Sequence, residues 1–392
     1  MSARSKGVLV LTSTFPARPG DGTPGFVLSL SQELAKTLPV TVVAPRVRGA
    51  ARRDRFDGVD VIRFRYFPKR WEGLADSAIM PALRAQPWRL VEVPTFLLAY
   101  LFTALRTTIR QRPALINAHW VIPAGVVALV VRVLTRTPYV LTAHGADAFV
   151  LSSGLPALVK RLVLTRASAV LPVSNDIAEA LRALGANCHE PIPMGVDVAA
   201  IRAATAPRAP EPGRLLFIGR LAGKKGVSVL LDAMTLAPAT RLVIVGDGPD
   251  RRALEAQTER LGLEGRVAFR GQQPRAEVEA ELRRAAVLVV PSVVDSDGDK
   301  DGTPVVLPEA LAAGLPVVAS DLAGLGEHLT DGVDGLLVPP DDVAALAAAL
   351  RRATDDPRSL VSVAEAGRRL AEERFDLAVI ASQYLSVFSM TR

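Results

Sequence analysis

Asp301 and Glu309 stand eight residues apart in the segment Asp301-Gly-Thr-Pro-Val-Val-Leu-Pro-Glu309, between an apolar β-branched run ending at Pro291 and another beginning near Pro316. The segment reads as strand, acidic loop, helix start and next buried strand. In α/β proteins a loop leaving the carboxyl end of a parallel strand for a helix is where phosphorylated ligands bind, because the free N–H groups of the first turn face the anion. Two carboxylates there suit three kinds of chemistry. They can balance the helix dipole, or ligate a divalent cation, although nothing nearby completes an oxygen cage. They can also accept hydroxyl protons, Glu309 from a ribose and Asp301 from a sugar beside the phosphates. In that case Gly302 and the following N–H groups face phosphate or sugar, with Thr303 as helix cap and Pro304 as first helical residue. Pro308 lacks an N–H and should loosen the first turn.

A second anion site is written in Ile218-Gly219-Arg220-Leu-Ala-Gly-Lys224-Lys225-Gly226, again between a strand and a helix. Its glycines let backbone approach a ligand. Arg220 can grip a diphosphate with its planar fork, and Lys225 adds a mobile point charge, while Lys224 reads as a surface cation. Val245-Gly246-Asp-Gly248-Pro249 is a further glycine turn, equally open to a structural reading. It lacks the third glycine and the ribose-binding acid of a dinucleotide fingerprint, which counts against a dehydrogenase. In the front half, Thr14 to Gly25 forms a glycine-rich loop after the first strand. Ala118-His119-Trp120 and Thr142-Ala-His144-Gly-Ala-Asp147 each follow a strand, and two histidines at neighbouring strand ends favour a polar pocket that positions a sugar.

Those residues need sheets to hold them, and the chain alternates short β-branched runs with segments of helical period, the pattern of parallel α/β sheets. Strands are predicted near 8–12, 39–44, 59–65, 114–118, 138–142 and 168–173, and, in a second series, near 214–218, 241–245, 267–270, 287–291, 316–319 and 335–338. Helices fall near 26–37, 93–111, 123–134, 156–166 and 175–184, then start near 226, 250, 275, 304 and 341. The Pro- and Ala-rich stretch Arg202 to Gly213 reads as a linker. The expected division is residues 1–198 plus 376–392 as one Rossmann-like domain, 199–213 as linker, and 214–375 as the second domain. Two such sheets facing across a cleft would bring their ligand loops together. The last helix, with Leu377, Ile380, Tyr384, Leu385 and Phe388 at helical spacing, should cross back to the first domain.

A chain of 392 residues is long enough for two cores. Its one cysteine, Cys188, precludes an internal disulfide framework and fits a reducing compartment, and four scattered histidines give no metal-ligand spacing. Val8 to Leu11 is too short for a signal peptide and reads as a strand. Net charge is +7, unevenly spread: residues 1–198 carry 24 Lys and Arg against 13 Asp and Glu, and the remainder 23 against 27. A basic front half suits an anionic partner such as lipid headgroups or a phosphorylated acceptor, and no nucleic-acid signature accompanies it. The apolar windows Val93–Leu105 and Val121–Leu134 fall short of the roughly 20 residues of a membrane span. They read as helices buried against a sheet, or as interfacial anchors given the Arg106, Arg110 and Arg112 cluster.

With these residues in hand, the chain resembles the retaining glycosyltransferases of family 4, with the two-domain GT-B fold, over nearly its whole length. Asp301 to Glu309 matches that family's acid-x7-Glu motif, and Gly219-Arg220 to Lys225-Gly226 its diphosphate-binding turn. His144-Gly-Ala-Asp147, Pro193-Met-Gly195-Val-Asp197, Gly324-Leu-Gly-Glu327 and Asp331-Gly332-Val-Asp-Gly335 resemble further landmarks. The first acid is Asp301 where the family more often has Glu, so its shorter arm reaches less far. The resemblance implies hexosyl transfer from a UDP- or GDP-sugar to a hydroxyl acceptor, such as a lipid-linked or cell-envelope glycan precursor. By it Arg220, Lys225, His144 and Asp301 are catalytic. Gly25, Gly219, Gly302, Thr303, Pro304, Val305 and Glu309 join the two cations in holding the donor, and His119 and Asp147 line the sugar or acceptor pocket. Base contacts in such folds come from backbone around 267–272. No metal or other cofactor is implied, since two cations neutralise the leaving diphosphate. The place implied is the cytoplasm, at the inner face of a membrane. A nucleotide-sugar epimerase or sugar phosphorylase of the same fold, and a non-catalytic sugar-nucleotide-binding subunit, are the alternatives.

Overall fold

The structure, a computed structural model, describes residues 7–18, 25–76, 79, 82–83, 86–145, 149, 154–295, 304–322 and 324–391. It divides into two compact units: residues 1–192 with 380–392, and residues 193–379.

In the first unit the strands are β1 (Val8–Leu11), β2 (Val40–Pro45), β3 (Arg53–Phe56), β4 (Val59–Phe64), β5 (Leu115–His119), β6 (Tyr139–Ala143) and β7 (Ala169–Pro172). They lie in the order β3-β4-β2-β1-β5-β6-β7, parallel except for β3. Most strand residues are buried, as expected where helices cover both faces. The polar edge strand β3 has no apolar run and was not among the predicted strands. Its signal was the turn Asp57-Gly58, where both φ angles are positive (43° and 88°), the geometry of a two-residue hairpin. The helices are α1 (Phe26–Ala35), α2 (Glu92–Gln111), α3 (Val126–Thr135), α4 (Gly154–Arg166) and α5 (Asn175–Arg182).

Helix α2 departs from the expected short apolar window. With the preceding turn Pro87–Val91 it makes a 25-residue stretch that is long and apolar enough to cross a membrane. One face nevertheless belongs to the folded unit. Phe96, Tyr100 and Ala104 are buried, Tyr100 stacks on Phe64 with ring centroids 4.6 Å apart, and buried Glu92 pairs with Arg89 at 3.0 Å.

The second unit has β8 (Arg214–Ile218), β9 (Arg241–Val245), β10 (Val267–Gly271), β11 (Val287–Val290), β12 (Val317–Ser320) and β13 (Leu336–Val338), all parallel, in the order β10-β9-β8-β11-β12-β13. Alternate residues feed two cores: Leu215, Phe217, Leu242, Ile244, Val287 and Val289 on one face, Leu216, Val243, Val245, Leu288 and Val290 on the other. Its helices are α6 (Val198–Thr205), α7 (Val227–Thr235), α8 (Arg251–Arg260), α9 (Arg275–Arg284), α10 (Val306–Ala312), α11 (Val343–Asp355) and α12 (Val361–Leu370).

The stretch read as a linker is folded onto this unit. Asp197 caps α6 by accepting from the Ala200 N–H, and Ile201 and Thr205 are buried. Beyond the helix, the Ala209 and Glu211 N–H groups donate to the carbonyls of Arg283 and Arg284. Composition alone hid this because the anchoring bonds, from backbone here and from the Arg208 and Glu211 side chains, reach partners that no local pattern announces.

The last helix, α13 (Leu377–Met390), places Ile380, Ala381, Tyr384, Val387 and Phe388 in the core of the first unit. Their spacing of three and four residues puts them on one helical face. Phe388→Ala is expected to lower stability by about 3–5 kcal/mol, the usual cost of emptying a buried aromatic site, measured by urea unfolding. A loss under about 1 kcal/mol would mean that α13 does not hold this core.

Candidate active site

In each sheet the strand order reverses beside the first strand of the unit: β2 and β5 flank β1, and β9 and β11 flank β8. Loops leaving the carboxyl ends of strands on either side of such a point run apart and leave a crevice between them. In the second unit those loops are Gly219–Gly226, after β8, and the segment after β11 that leads to α10.

Backbone contacts fix the first of these loops. Gly226 adopts φ +63°, and a Cβ there would sit 1.8 Å from the Pro291 carbonyl oxygen. The Val293 N–H donates to the Lys224 carbonyl at 2.9 Å, so the two loops are stitched together. Gly246, at φ +130°, would place a Cβ 1.9 Å from the Gly219 carbonyl, and Gly248 would place one 2.1 Å from that of Leu221. The glycines of the Val245–Pro249 turn therefore serve close packing against the β8 loop. Arg220 emerges from this frame with its side chain exposed and no hydrogen-bond partner among the described residues. Lys225, five residues on in the same loop, is half-buried, and the Asp295 carboxylate lies against Gly223.

Glu309 lies on α10, its side chain 15% exposed, and its Oε1 accepts from Arg275 on α9. The same guanidinium donates through Nε to Glu279 at 2.6 Å. Burial works against the charge on Arg275, yet Glu309 and Glu279 outweigh it and raise its pKa further. Arg275 is a site residue that the sequence reading missed. Its partner is 34 positions away, and no local pattern announces the pair.

Helix α10 starts at Val306, two residues later than expected, so Pro304 precedes the helix and accepts from the Leu307 N–H at 3.0 Å. Pro308 thus falls in the first turn, where an N–H has no intrahelical acceptor, so its missing N–H breaks no helix bond. Pro304 and Val305 are half-buried. Asp301, Gly302, Thr303 and Asp147 lie outside the described residues.

In the first unit, β5 and β6 present a buried polar chain. Tyr384 on α13 donates to Thr142 (3.3 Å) and Thr142 to the Asn117 side-chain Oδ1 (3.2 Å). The Asn117 amide is 3.2 Å from His119 Nε2, and His119 Nδ1 is 2.9 Å from His144 Nε2. Donors and acceptors close without conflict only if each group donates to the next. His119 then carries its proton on Nδ1 and His144 on its own Nδ1.

Burial holds both histidines neutral. It lowers the His119 pKa to about 3, and it lowers that of His144 well below the ordinary value, helped by neighbouring His119. His119 is 1% exposed, so it does not line a sugar pocket as expected; it holds His144 instead. His144 is half-buried and flanked by Phe26 and Trp120, each with ring centroid 4.8 Å away. Trp120 sits at φ +72°, a strained conformation for a bulky residue and a mark of functional strand ends. Asn117 and His119, polar at i and i+2 of a buried strand, were the sequence signal for this network. Gly25 caps α1, and a Cβ there would meet nothing within 4 Å, so packing does not demand glycine at that position.

Comparison with known proteins places both halves. Residues 202–370 match the family described as glycosyl transferases group 1, and residues 22–195 match the glycosyl transferase 4-like domain. The chain is 31% identical over 373 residues to the putative teichuronic acid biosynthesis glycosyltransferase TuaC of Bacillus subtilis, covering 88% of each. Among solved structures, sucrose-phosphate synthase from Thermosynechococcus elongatus aligns with a TM-score of 0.78 at 23% identity, over 98% of both chains. Anabaena HepE in complex with UDP aligns with a TM-score of 0.72 at 22% identity, over 98% of this chain and 100% of that one. The fold is the α/β, two-domain GT-B type.

The buried neutral histidines make stability pH-dependent. His119 and His144, with His328, whose pKa burial and Arg374 lower to about 4, bind protons near pH 6.5 only when unfolded. Their share of stability is complete above about pH 6.5 and is lost as pH falls toward their folded values. Urea unfolding between pH 7.5 and 5 should be flat above 6.5 and then weaken, by roughly 1.4 kcal/mol per pH unit for each fully protonating histidine. His119→Asn should reduce that slope, and an unchanged slope would contradict the neutral pair.

Proposed function

The chain belongs to the group 1 glycosyltransferases of family 4, and on that premise we propose that it moves a hexosyl residue from a UDP- or GDP-sugar to a hydroxyl acceptor with retention of configuration. One observation carries the reading. The turn bearing Arg220 and Lys225 is locked at the β8–β11 switch point, while the helix that follows β11 carries Glu309, oriented by Arg275. Arg275 engages Oε1, leaving Oε2 for the ribose hydroxyls. Arg220 and Lys225 neutralise the diphosphate as it departs, so positive charge is already in place where negative charge develops. His144, held by His119, contacts the sugar or leaving group. Gly25, Asp301, Gly302, Thr303, Pro304 and Val305 complete the donor side, with Asp147 on the acceptor side. A diphosphate oxygen takes the acceptor proton in a same-face substitution, and the two cations do the work that a divalent metal would otherwise do. That HepE was solved with UDP supports a nucleotide-sugar donor, and the name of TuaC supports an envelope-glycan acceptor.

The proposed place of work is the cytoplasmic face of a membrane. Helix α2 packs on α3, and α3 on α4. Together they expose Leu98, Phe102 and Ile109, Val133 and Leu134, and Leu155, Leu158 and Leu162. Exposed Arg106, Arg110 and Arg161 stand among them. Apolar side chains rimmed by arginines suit the interface of an anionic bilayer.

Arg220→Ala should lower turnover by about 10²–10³-fold and weaken UDP or GDP binding, with the far-UV spectrum unchanged. Assayed in EDTA, the wild type should keep its rate. Unaltered kinetics in the variant would remove the diphosphate assignment, and chelator inhibition reversed by magnesium or manganese would remove the metal-free one. In flotation assays the protein should rise with vesicles rich in phosphatidylglycerol and much less with phosphatidylcholine alone. Leu98→Ser with Phe102→Ser should abolish that binding, and full binding by the double variant would refute this surface.

A further inference from the structure

The second unit holds a cavity of about 570 Å³ at the end of its sheet opposite the Arg220 turn, where Ala286 leads into β11 and Pro316 into β12. Ligand crevices of such sheets lie at the carboxyl ends of the strands, so this cavity is separate from the donor site. Four arginines line it, Arg202, Arg208, Arg358 and Arg368, with one carboxylate, Glu365. Arg202 pairs with Glu372 outside the lining.

The two inner guanidiniums are unusual. Arg208 donates to the carbonyls of Gly314 (2.7 Å) and Ala285, and its Nε is buried without a partner. Arg368 lies over Gly314, where a Cβ would come within 2.0 Å of its Nη2, and its Nε is likewise buried and unpartnered. Among the described residues neither guanidinium has a carboxylate within ion-pair distance. Burial, with Arg368 nearby, lowers the Arg208 pKa to about 10. Two neighbouring, half-buried cations without a counter-ion repel each other, and an anion from solution relieves that cost.

We propose that this cavity is a binding site for a small phosphorylated metabolite, its phosphate held by Arg208 and Arg368 and its remainder lying on the apolar floor. Guanidinium forks match phosphate oxygens in pairs, and Arg358 at the rim adds a third positive charge. The volume lies within the range of small-molecule sites and exceeds what a bare phosphate needs. This proposal does not depend on the glycosyl-transfer reading.

Inorganic phosphate and glucose 6-phosphate, titrated against chloride at constant ionic strength, test it by calorimetry and thermal unfolding. Both should bind and raise Tm in the wild type and in Arg220→Ala. Arg368→Gln should weaken them about tenfold to a hundredfold while leaving UDP binding unchanged. Ala364→Glu, which introduces a carboxylate into the cavity, should raise the ligand-free Tm and abolish the response, a readout that survives if Arg368→Gln fails to fold. Tighter binding of glucose 6-phosphate than of phosphate supports a metabolite, whereas equal binding overturns the floor's role and leaves a phosphate site only. No binding by the wild type, wild-type affinity in both cavity variants, or loss of binding in Arg220→Ala would overturn the site.

Discussion

Contact between backbones at the carboxyl end of β8 is the constraint on which the second unit's chemistry depends. Gly226 presses on Pro291, Gly246 on Gly219 and Gly248 on Leu221, at distances that no side chain tolerates. Three loops are thereby locked around one point, and the Lys224 carbonyl is bound by the Val293 N–H. A flexible loop would have to be ordered each time a ligand arrived, at a cost for every residue fixed. Here folding meets that cost before any ligand arrives.

The same economy appears at Glu309. Arg275 holds the Glu309 carboxylate in one rotamer from a neighbouring helix, while Glu279 steadies Arg275. In the first unit the histidines are positioned by a chain of neutral hydrogen bonds instead. Tyr384, Thr142, Asn117 and His119 each satisfy the next, which is what allows four polar groups to sit in an apolar core. That chain begins on α13, so the C-terminal helix both fills the core of the first unit and sets the orientation of a ring at its strand ends.

Charge is distributed against the averages of the sequence. The second half of the chain is net acidic, yet its sheet carries cations at both ends: Arg220 and Lys225 at one, and Arg208 and Arg368 at the other. In the basic first unit the arginines accompany exposed apolar side chains on α2, α3 and α4. A net charge thus says little about any one site, because screened interactions act over about 10 Å and sites are made by neighbours.

Hydrophobic periodicity is local, and so were the features it determined: the parallel strands apart from β3, the order of helices, two α/β units, and the glycine turns with Arg220 and Lys225 after β8. Asp57-Gly58 would have revealed β3 as well, had turn chemistry been weighed above the polarity of Arg53–Phe56. Other features arise from side chains and carbonyls far apart in the chain. Tertiary structure alone decided that Glu309 is shared with Arg275, that His119 supports His144 rather than meeting ligand, and that the supposed linker is pinned by Arg208 to Gly314 and Ala285. It alone decided which face of α2 is buried. The physical reason is that a residue's type limits which bonds it can make, while the packing of whole elements selects the partner.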